Sequence, residues 1–256
     1  MDTYRAALVG LFPEMAAAFF DVGVIGRAVR DERLLVNHFN PRDYATDSRK
    51  TVDGRPFGGG PGMVMMIEPL RRAVRDARRG VGEGAPVVLL SPQGKRFDQG
   101  LASELARLPG LILVAGRYEG VDERFGASEV DLELSIGDYV ISGGELAAFV
   151  VLDAVARLVP GVLGNPNSAI AESHVDGLFD HPHYTRPEFD GENRAPAVLL
   201  SGDHAAVARW RRRQALGRTW ERRPGALLDR DMSAADRELL RSYISHSREH
   251  DMETLQ

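Results

Sequence analysis

The sequence predicts an α/β fold: a mostly parallel sheet flanked by helices, followed by a small, mostly helical C-terminal domain. Three observations carry that expectation. Apolar strand-like runs alternate with helix-like stretches from residue 6 to residue 159, the order of a parallel sheet. Glycine-rich turns follow two consecutive apolar runs, at Gly116 and at Gly137, which puts both at one crevice beyond the strand ends. After Gly161 the periodicity stops, and a polar stretch leads into helical patterns.

Taken in order, Ala6 to Phe12 reads as a buried strand, and Pro13 suits the first turn of a helix carrying Met15, Phe19, Phe20 and Val22 before Gly23 and Gly26. Leu34 to Phe39 reads as a strand. Residues 40–62 are polar and end in Gly58-Gly59-Gly60-Pro61-Gly62, a loop long enough to be functional or disordered. Glu68 to Arg79 reads as a helix with a basic, solvated outer face, and Val87 to Leu90 as a strand. Gly80 to Ala85 fits a loose dinucleotide pattern, but it precedes a strand where such a turn must follow one. Ser91 to Arg96 contains Gly-Lys without the spacing of a phosphate loop. Phe97 to Leu108 is an amphipathic helix stopped by Pro109-Gly110; Leu111 to Ala115 and Val130 to Leu134 are strands; Leu146 to Leu158 is a buried helix. Beyond the polar stretch, Asp203 to Arg213 is a helix with Ser201 or Asp203 as its cap. Ser233-Ala234-Ala235-Asp236 opens a last helix to about Ser245.

Composition narrows the function. The chain has 256 residues, 43% hydrophobic and 27% charged, as expected of a globular protein. A net charge of −5 does not announce a nucleic-acid binder, so any polyanion site must be a local patch. The absence of cysteine excludes disulfides and cysteine-based zinc sites. The N-terminus lacks the pattern of a signal peptide, and no apolar run is long enough to span a membrane. A cytoplasmic protein is the expectation.

The stretch Ser135-Ile136-Gly137-Asp138-Tyr139-Val140-Ile141-Ser142-Gly143-Gly144-Glu145 runs from a strand into a helix, and Gly116-Arg117-Tyr118-Glu119-Gly120 follows the preceding strand. Glycine lets main-chain groups approach a flat heterocycle closely, although by spacing alone an ordinary turn serves as well. Arg209-Trp210-Arg211-Arg212-Arg213 and Arg218 to Arg223 interleave guanidinium groups with both tryptophans. Arginine pairs with phosphate and aromatic rings stack on unpaired bases; the alternative is a solvated basic helix, with Trp210 buried in either case. Asp180-His181-Pro182-His183 has a loose metal-ligand look that packing or RNA contact explains equally well, and no metal site is predicted.

Together GRYEGVDER (116–124) and SIGDYVISGGE (135–145) closely resemble the bacterial tRNA (guanine-N(1))-methyltransferase family of the trefoil-knot (SPOUT) class. LFPEM, RPFGGGPGM, LLSPQGKRFDQ, PGVLGNP, PHYTRPE and VLLSGDHAAVARWRRRQALGRTWERRP follow the family's order over most of the chain. The resemblance implies a methyltransferase domain over 1–163 with a deep trefoil knot at about 86–163, a catalytic linker over 164–180, and a helical tRNA-binding domain over 181–256. It also implies transfer of a methyl group from S-adenosyl-L-methionine to N1 of the guanosine 3′ to the anticodon, position 37. Magnesium dependence and a homodimer with a composite site are further family features. The cofactor pocket would be lined by Leu90, Ser91, Pro92, Gly116, Tyr118, Ile136, Gly137, Asp138, Tyr139, Val140, Ile141, Gly143 and Gly144. Arg55, Ser173, Asp180, Arg186, Arg209, Arg211 and Arg218 would meet tRNA.

N1 of guanine must lose a proton as it is alkylated, so a carboxylate within hydrogen-bond reach is the natural base, and a cation at O6 stabilises the developing charge. The family's linker Asp aligns with Glu172. Glu keeps the carboxylate but moves it by one methylene, and misplacement by about 1 Å can cost roughly a hundredfold in rate. Three readings stay open: Glu172 as base in an adjusted linker, Asp176 or Asp180 in its place, or an impaired enzyme. Arg157, read locally, is a cation favouring a helix C-terminus; the resemblance places it at guanine O6. Glu119 would face the sulfonium or a magnesium ion.

Overall fold

A computed structural model describes residues 3–164, 173–174, 176–228 and 230–254, with 247–254 as backbone. It divides into two compact units, Met1–Pro166 and Asn167–Gln256.

The first unit contains β1 (Tyr4–Val9), α1 (Pro13–Asp21), α2 (Gly23–Arg30), β2 (Leu34–Phe39), β3 (Asp53–Gly54), β4 (Val64–Met65), α3 (Ile67–Val81), β5 (Val87–Arg96), α4 (Gln99–Ala106), β6 (Gly110–Ala115), α5 (Glu123–Glu129), β7 (Leu132–Ser135) and α6 (Gly144–Ala156). Five strands form one sheet in the order β2-β1-β6-β5-β7, every pair parallel. Side chains alternate across it, as the period of two requires. Leu111, Leu113 and Ala115 of β6 join Ala6, Leu8, Val88 and Leu90 beneath α1, α2, α4 and α6. Ile112 and Val114 join Ala7, Val9, Val87 and Leu89 beneath α3 and α5. Both faces are covered, which is why these strands read as continuous apolar runs.

Helix boundaries follow local chemistry. Pro13 opens α1, and Asp98 caps α4 by accepting the Leu101 N–H at 2.9 Å. That cap explains why α4 starts two residues later than Phe97. The first helix breaks at Val22, whose extended backbone precedes Gly23, but the chain resumes as α2 with Gly26 buried inside it. Helix α5, absent from the sequence expectation, is capped by Asp122 and buries only Phe125.

The second unit contains a small hairpin, β8 (Phe189–Asp190) and β9 (Asn193–Arg194), then α7 (Ala197–Leu200), α8 (His204–Arg222), α9 (Gly225–Leu228) and α10 (Ala234–Thr254). Asp203 caps α8 through the Ala205 and Ala206 N–H groups, and Ser233 accepts the Asp236 N–H at 3.0 Å. Helix α8 runs nine residues past Arg213. It passes through Gly217, where a Cβ would overlap the Tyr243 ring of α10, so glycine is the residue that lets these helices meet. The apolar centre is small: Leu178, Leu216 and Leu227, with Met232, Leu239 and Leu240 against them. Trp210 is half-buried beside Tyr184 and His181, not enclosed as the sequence suggested. Among the described residues no helix is long and apolar enough to cross a membrane.

Candidate active site

Three loops at neighbouring strand tips enclose a cavity of about 680 Å³ in the first unit. The first interrupts β5. Leu90 and Lys95 both pair with Leu134, so the residues between them leave the ladder and Ser91, Pro92 and Gln93 reach the cavity. The second follows β6. It is pinned from outside by β4: Glu119 N–H donates to Met63 O at 3.0 Å, Met65 N–H to Gly120 O at 2.9 Å, and Asp122 N–H to Met65 O at 3.1 Å. The glycine-rich segment before β4 is thereby tied to the cavity edge. The third joins β7 to α6. Ser135 Oγ accepts the Gly137 N–H at 3.2 Å, and Tyr139 N–H donates to Gly137 O at 3.0 Å, closing a tight turn.

The second and third loops are joined at two points. Gly144 N–H donates to Gly116 O at 2.7 Å. A Cβ on Gly144 would lie 2.8 Å from Ala115 Cα, so only glycine allows that approach. The other junction is ionic. Arg117 Nε donates to Glu145 Oε2 at 2.7 Å, its Nη1 to Ser142 O at 3.0 Å, and its guanidinium lies 4.3 Å from the centre of the Phe12 ring. Glu145 is fully buried, and Oε1 has no hydrogen-bond partner. Removing one member of such a pair leaves a stranded charge, typically at a cost of about 3–5 kcal/mol. This pair fixes how the Tyr118 and Tyr139 loops face each other.

The cavity wall carries Glu119, Asp122, Glu123 and Glu133. Asp122 is held below the usual carboxylate range, chiefly by the Arg124 guanidinium. Arg117, the cation in the lining, is matched by Glu145. The wall therefore suits a ligand with a cationic centre.

The sequence-predicted residues Leu90, Ser91, Pro92, Gly116, Tyr118, Glu119, Ile136, Gly137, Tyr139, Val140, Ile141, Gly143 and Gly144 all line this one cavity. Asp138 does not; it is exposed at the Gly137 turn, outside the lining. Arg157 is the half-buried C-cap of α6, also outside the lining. Arg55 is exposed immediately after β3. Glu172 lies outside the described residues. In the second unit, Asp180 N–H donates to Ser173 Oγ at 2.8 Å. Arg186, Arg209 and Arg211 are exposed and Arg218 is half-buried, whereas Arg212 is committed to Asp176 and Asp236. Sequence reasoning missed Gln93, Arg117, Asp122, Glu133, Ser142 and Glu145 as parts of the site. Arg117 and Glu145 stand inside the two motifs themselves, but nothing in the spacing says that they pair.

The sequence profile described as tRNA (Guanine-1)-methyltransferase TrmD matches residues 4–229. A protein of Pseudomonas entomophila (strain L48) named tRNA (guanine-N(1)-)-methyltransferase is 54% identical over 244 residues, 95% of this chain and 98% of its own length. Namesakes from Methylococcus capsulatus and Pseudoalteromonas translucida are each 57% identical, over 236 and 220 residues. The first of these alignments spans 92% of this chain and 94% of the relative, the second 86% of each.

Proposed function

This chain belongs to the tRNA (guanine-1)-methyltransferase family, and from that premise we propose that it methylates N1 of the guanosine 3′ to the anticodon, position 37, of tRNA. The observation that carries the reading is the convergence of three strand-tip loops on one cavity. Its volume lies within the range of pockets for small organic ligands, and its carboxylates suit a sulfonium. S-adenosyl-L-methionine, when bound, supplies a methyl group on positively charged sulfur, which departs as a neutral thioether. Main-chain groups of the Gly116, Gly137 and Gly143 turns would hold the adenosine, with Tyr118, Ile136, Tyr139 and Ile141 as its walls.

The protein's own part is positioning and proton handling. Glu172 would take the N1 proton of the guanine while the new N–C bond forms, a service typically contributing about 10²–10⁴-fold. Arg157 would donate to O6 and stabilise the charge that collects there. Thirteen residues of α6, roughly 20 Å, separate it from the cofactor turn of its own chain, so the role rests on the family resemblance and would be played at a site shared with the second copy. Magnesium characteristically needs only one or two carboxylates beside substrate oxygens, and Glu119 at the cavity supplies one.

The reading includes the family's larger frame. A methyltransferase domain over 1–163, knotted at about 86–163, would hold the methyl donor. A linker over 164–180 would order when tRNA binds, and 181–256 would grip the tRNA through Arg209, Arg211, Arg218 and Arg186, with Ser173, Asp180 and Arg55 at the target nucleotide. The enzyme would work in the cytoplasm as a homodimer whose sites draw on both copies. Support for a second copy comes from α6, where Leu146 and Val150 stay 50% exposed on a helix that is apolar all round.

Incubation with unmodified tRNA and labelled S-adenosyl-L-methionine, followed by nucleoside analysis, tests the reading. The expected product is 1-methylguanosine, with at least about a hundredfold loss in Glu172→Gln. A ribose-methylated product would defeat it. Transfer by Glu172→Asp but not by the natural Glu172 chain would mean a tRNA binder that has lost its chemistry.

A further inference from the structure

The second unit gathers two imidazoles and a carboxylate that the methyl-transfer reading does not use as a set. Asp180 Oδ2 lies 2.9 Å from His183 Nε2, and Asp180 Oδ1 lies 3.6 Å from His181 Nε2. One ligand atom from each residue falls within 4.8 Å of the other two. The two imidazole centroids are 4.4 Å apart.

The orientation of His181 is informative. Its Nδ1 sits 3.0 Å from Pro182 O. A carbonyl oxygen only accepts, so Nδ1 carries the proton, and in the neutral ring Nε2 keeps its lone pair. That lone pair faces a carboxylate oxygen. Two acceptors at this distance repel unless a cation, either a proton or a metal ion, lies between them. An Nδ1–H donated to a main-chain carbonyl is also the outer contact that metal-binding histidines typically make, because it fixes the tautomer and the ring. The carboxylate is held in turn: Asp180 Oδ1 accepts the His181 N–H at 2.7 Å, and Asp180 N–H donates to Ser173. The side chains of Asp180 and His181 are 26% and 17% exposed, while that of His183 is 70% exposed and has room to turn.

We propose that Asp180, His181 and His183 form a binding site for one divalent transition ion of the Zn²⁺ type. Two imidazole nitrogens and one carboxylate oxygen suit Zn²⁺, Co²⁺ or Ni²⁺ and not the all-oxygen preference of Mg²⁺ or Ca²⁺. Tetrahedral bonds of about 2.0–2.1 Å place neighbouring ligand atoms about 3.3 Å apart. Here His183 Nε2 lies 2.9 Å from Oδ2 and His181 Nε2 3.6 Å from Oδ1 of Asp180, so a small turn of the exposed His183 ring and of the carboxylate brings one oxygen to both nitrogens, whose ligand atoms already lie within 4.8 Å of one another. On binding, His183 shifts its proton from Nε2 to Nδ1 and Nε2 turns to the metal; water completes the shell. Occupancy would also engage Asp180, so the ion would compete with any tRNA contact that residue makes.

The test uses the full chain, tag-free and stripped with chelator, titrated with Co²⁺. One equivalent should bind saturably, with visible ligand-field absorption and quenching of Trp210, whose ring centroid lies 6.2 Å from that of His181. Zn²⁺ should displace it, and millimolar Mg²⁺ should not. His183→Ala, at an exposed position, and His181→Ala should each weaken binding by roughly tenfold or more. His204→Ala and His246→Ala should leave it unchanged. The proposal fails if uptake is not saturable below about 100 µM, if His183→Ala binds as well as the natural chain, or if Mg²⁺ displaces Co²⁺ as readily as Zn²⁺.

Discussion

The two units reach stability by different means. In the first, a five-stranded sheet is apolar on both faces and covered on both, and the largest buried side chains are mostly those of its strands and their helices. In the second, the buried apolar centre among the described residues is Leu178, Leu216 and Leu227, and much of the fixing falls to ions. Arg212 holds both carboxylate oxygens of Asp236 at 2.8 Å and Asp176 Oδ2 at 2.6 Å. Arg230 donates to the Asp176 carbonyl and lies 3.4 Å from the same Oδ2. Area buried against water gives a non-directional term, insensitive to acid. A fork of charge-assisted bonds gives a directional one that depends on protonation. The strand-tip cavity, proposed to hold the methyl donor, sits on the first kind of scaffold; the arginines proposed to meet tRNA sit on the second.

Both tryptophans, Trp210 and Trp220, lie in the second unit, so their fluorescence follows that unit while far-UV circular dichroism follows both. The largest expected effect comes from Leu113→Ala. Leu113 is 1% exposed, on the strand between β1 and β5. Truncation there should cost about 2–5 kcal/mol. The dichroism transition should fall while the fluorescence midpoint stays; if both fall together, the two units do not stand on separate footings. A smaller effect is expected from Arg212→Ala. Asp236 is only 13% exposed and would lose its partner, but Asp176 is 48% exposed and water would take over there. A cost of about 1–3 kcal/mol follows, read in the fluorescence midpoint. No shift would mean that the small apolar centre suffices.

Much of the first unit was legible in the sequence because its strands carry their own signal. Leu34–Phe39 stands where its apolar run placed it, and the other strands of the main sheet differ at their ends. Strand β5 outruns the expectation because Ser91 to Arg96 looks like a turn; pairing with β7 resumes only after the slip at Leu90 and Lys95. Helix α5 has seven residues, too few to show a period. Helix α8 looked finished at Arg213 because its surface is basic on most sides and Gly217 resembles a stop. Its continuation depends on Tyr243, a contact from 26 residues further along that no local pattern contains. The cavity was legible for a similar reason as the strands: its walls are the loops at their tips. The Arg117–Glu145 pair was not, since a buried charge and its partner are recognisable only after the chain brings them together. Glu172 was named from family resemblance and not from any physical pattern.

Acid should separate the units by the smallest of the three effects. The Arg212 guanidinium holds the Asp236 carboxyl below the usual carboxylate range. Burial pushes Asp176 upward, but Arg212, the Leu178 N–H and Arg230 outweigh it, and the net shift is again downward. A carboxyl whose folded value lies below its unfolded value of about 3.9 contributes stability that is complete above that value. The contribution disappears as pH falls through the folded value. Lowering the pH from about 5 toward 2 should therefore bring the fluorescence midpoint down. The first unit also has depressed carboxyls, Asp47 and Asp122, but their main partners are Thr51 and Arg124, a few residues away. Those two contacts tie no helix to another, so the part of the acid shift that comes from carboxyls held below their usual range should be the lesser in the first unit, where the pairs that join separate segments include Arg117–Glu145 and Arg71–Glu129. The variant Asp176→Asn with Asp236→Asn would be less stable at neutral pH and should show a much flatter fluorescence profile below pH 5. A double variant that keeps the full acid slope would place the proton-sensitive groups elsewhere and remove the ionic half of the contrast.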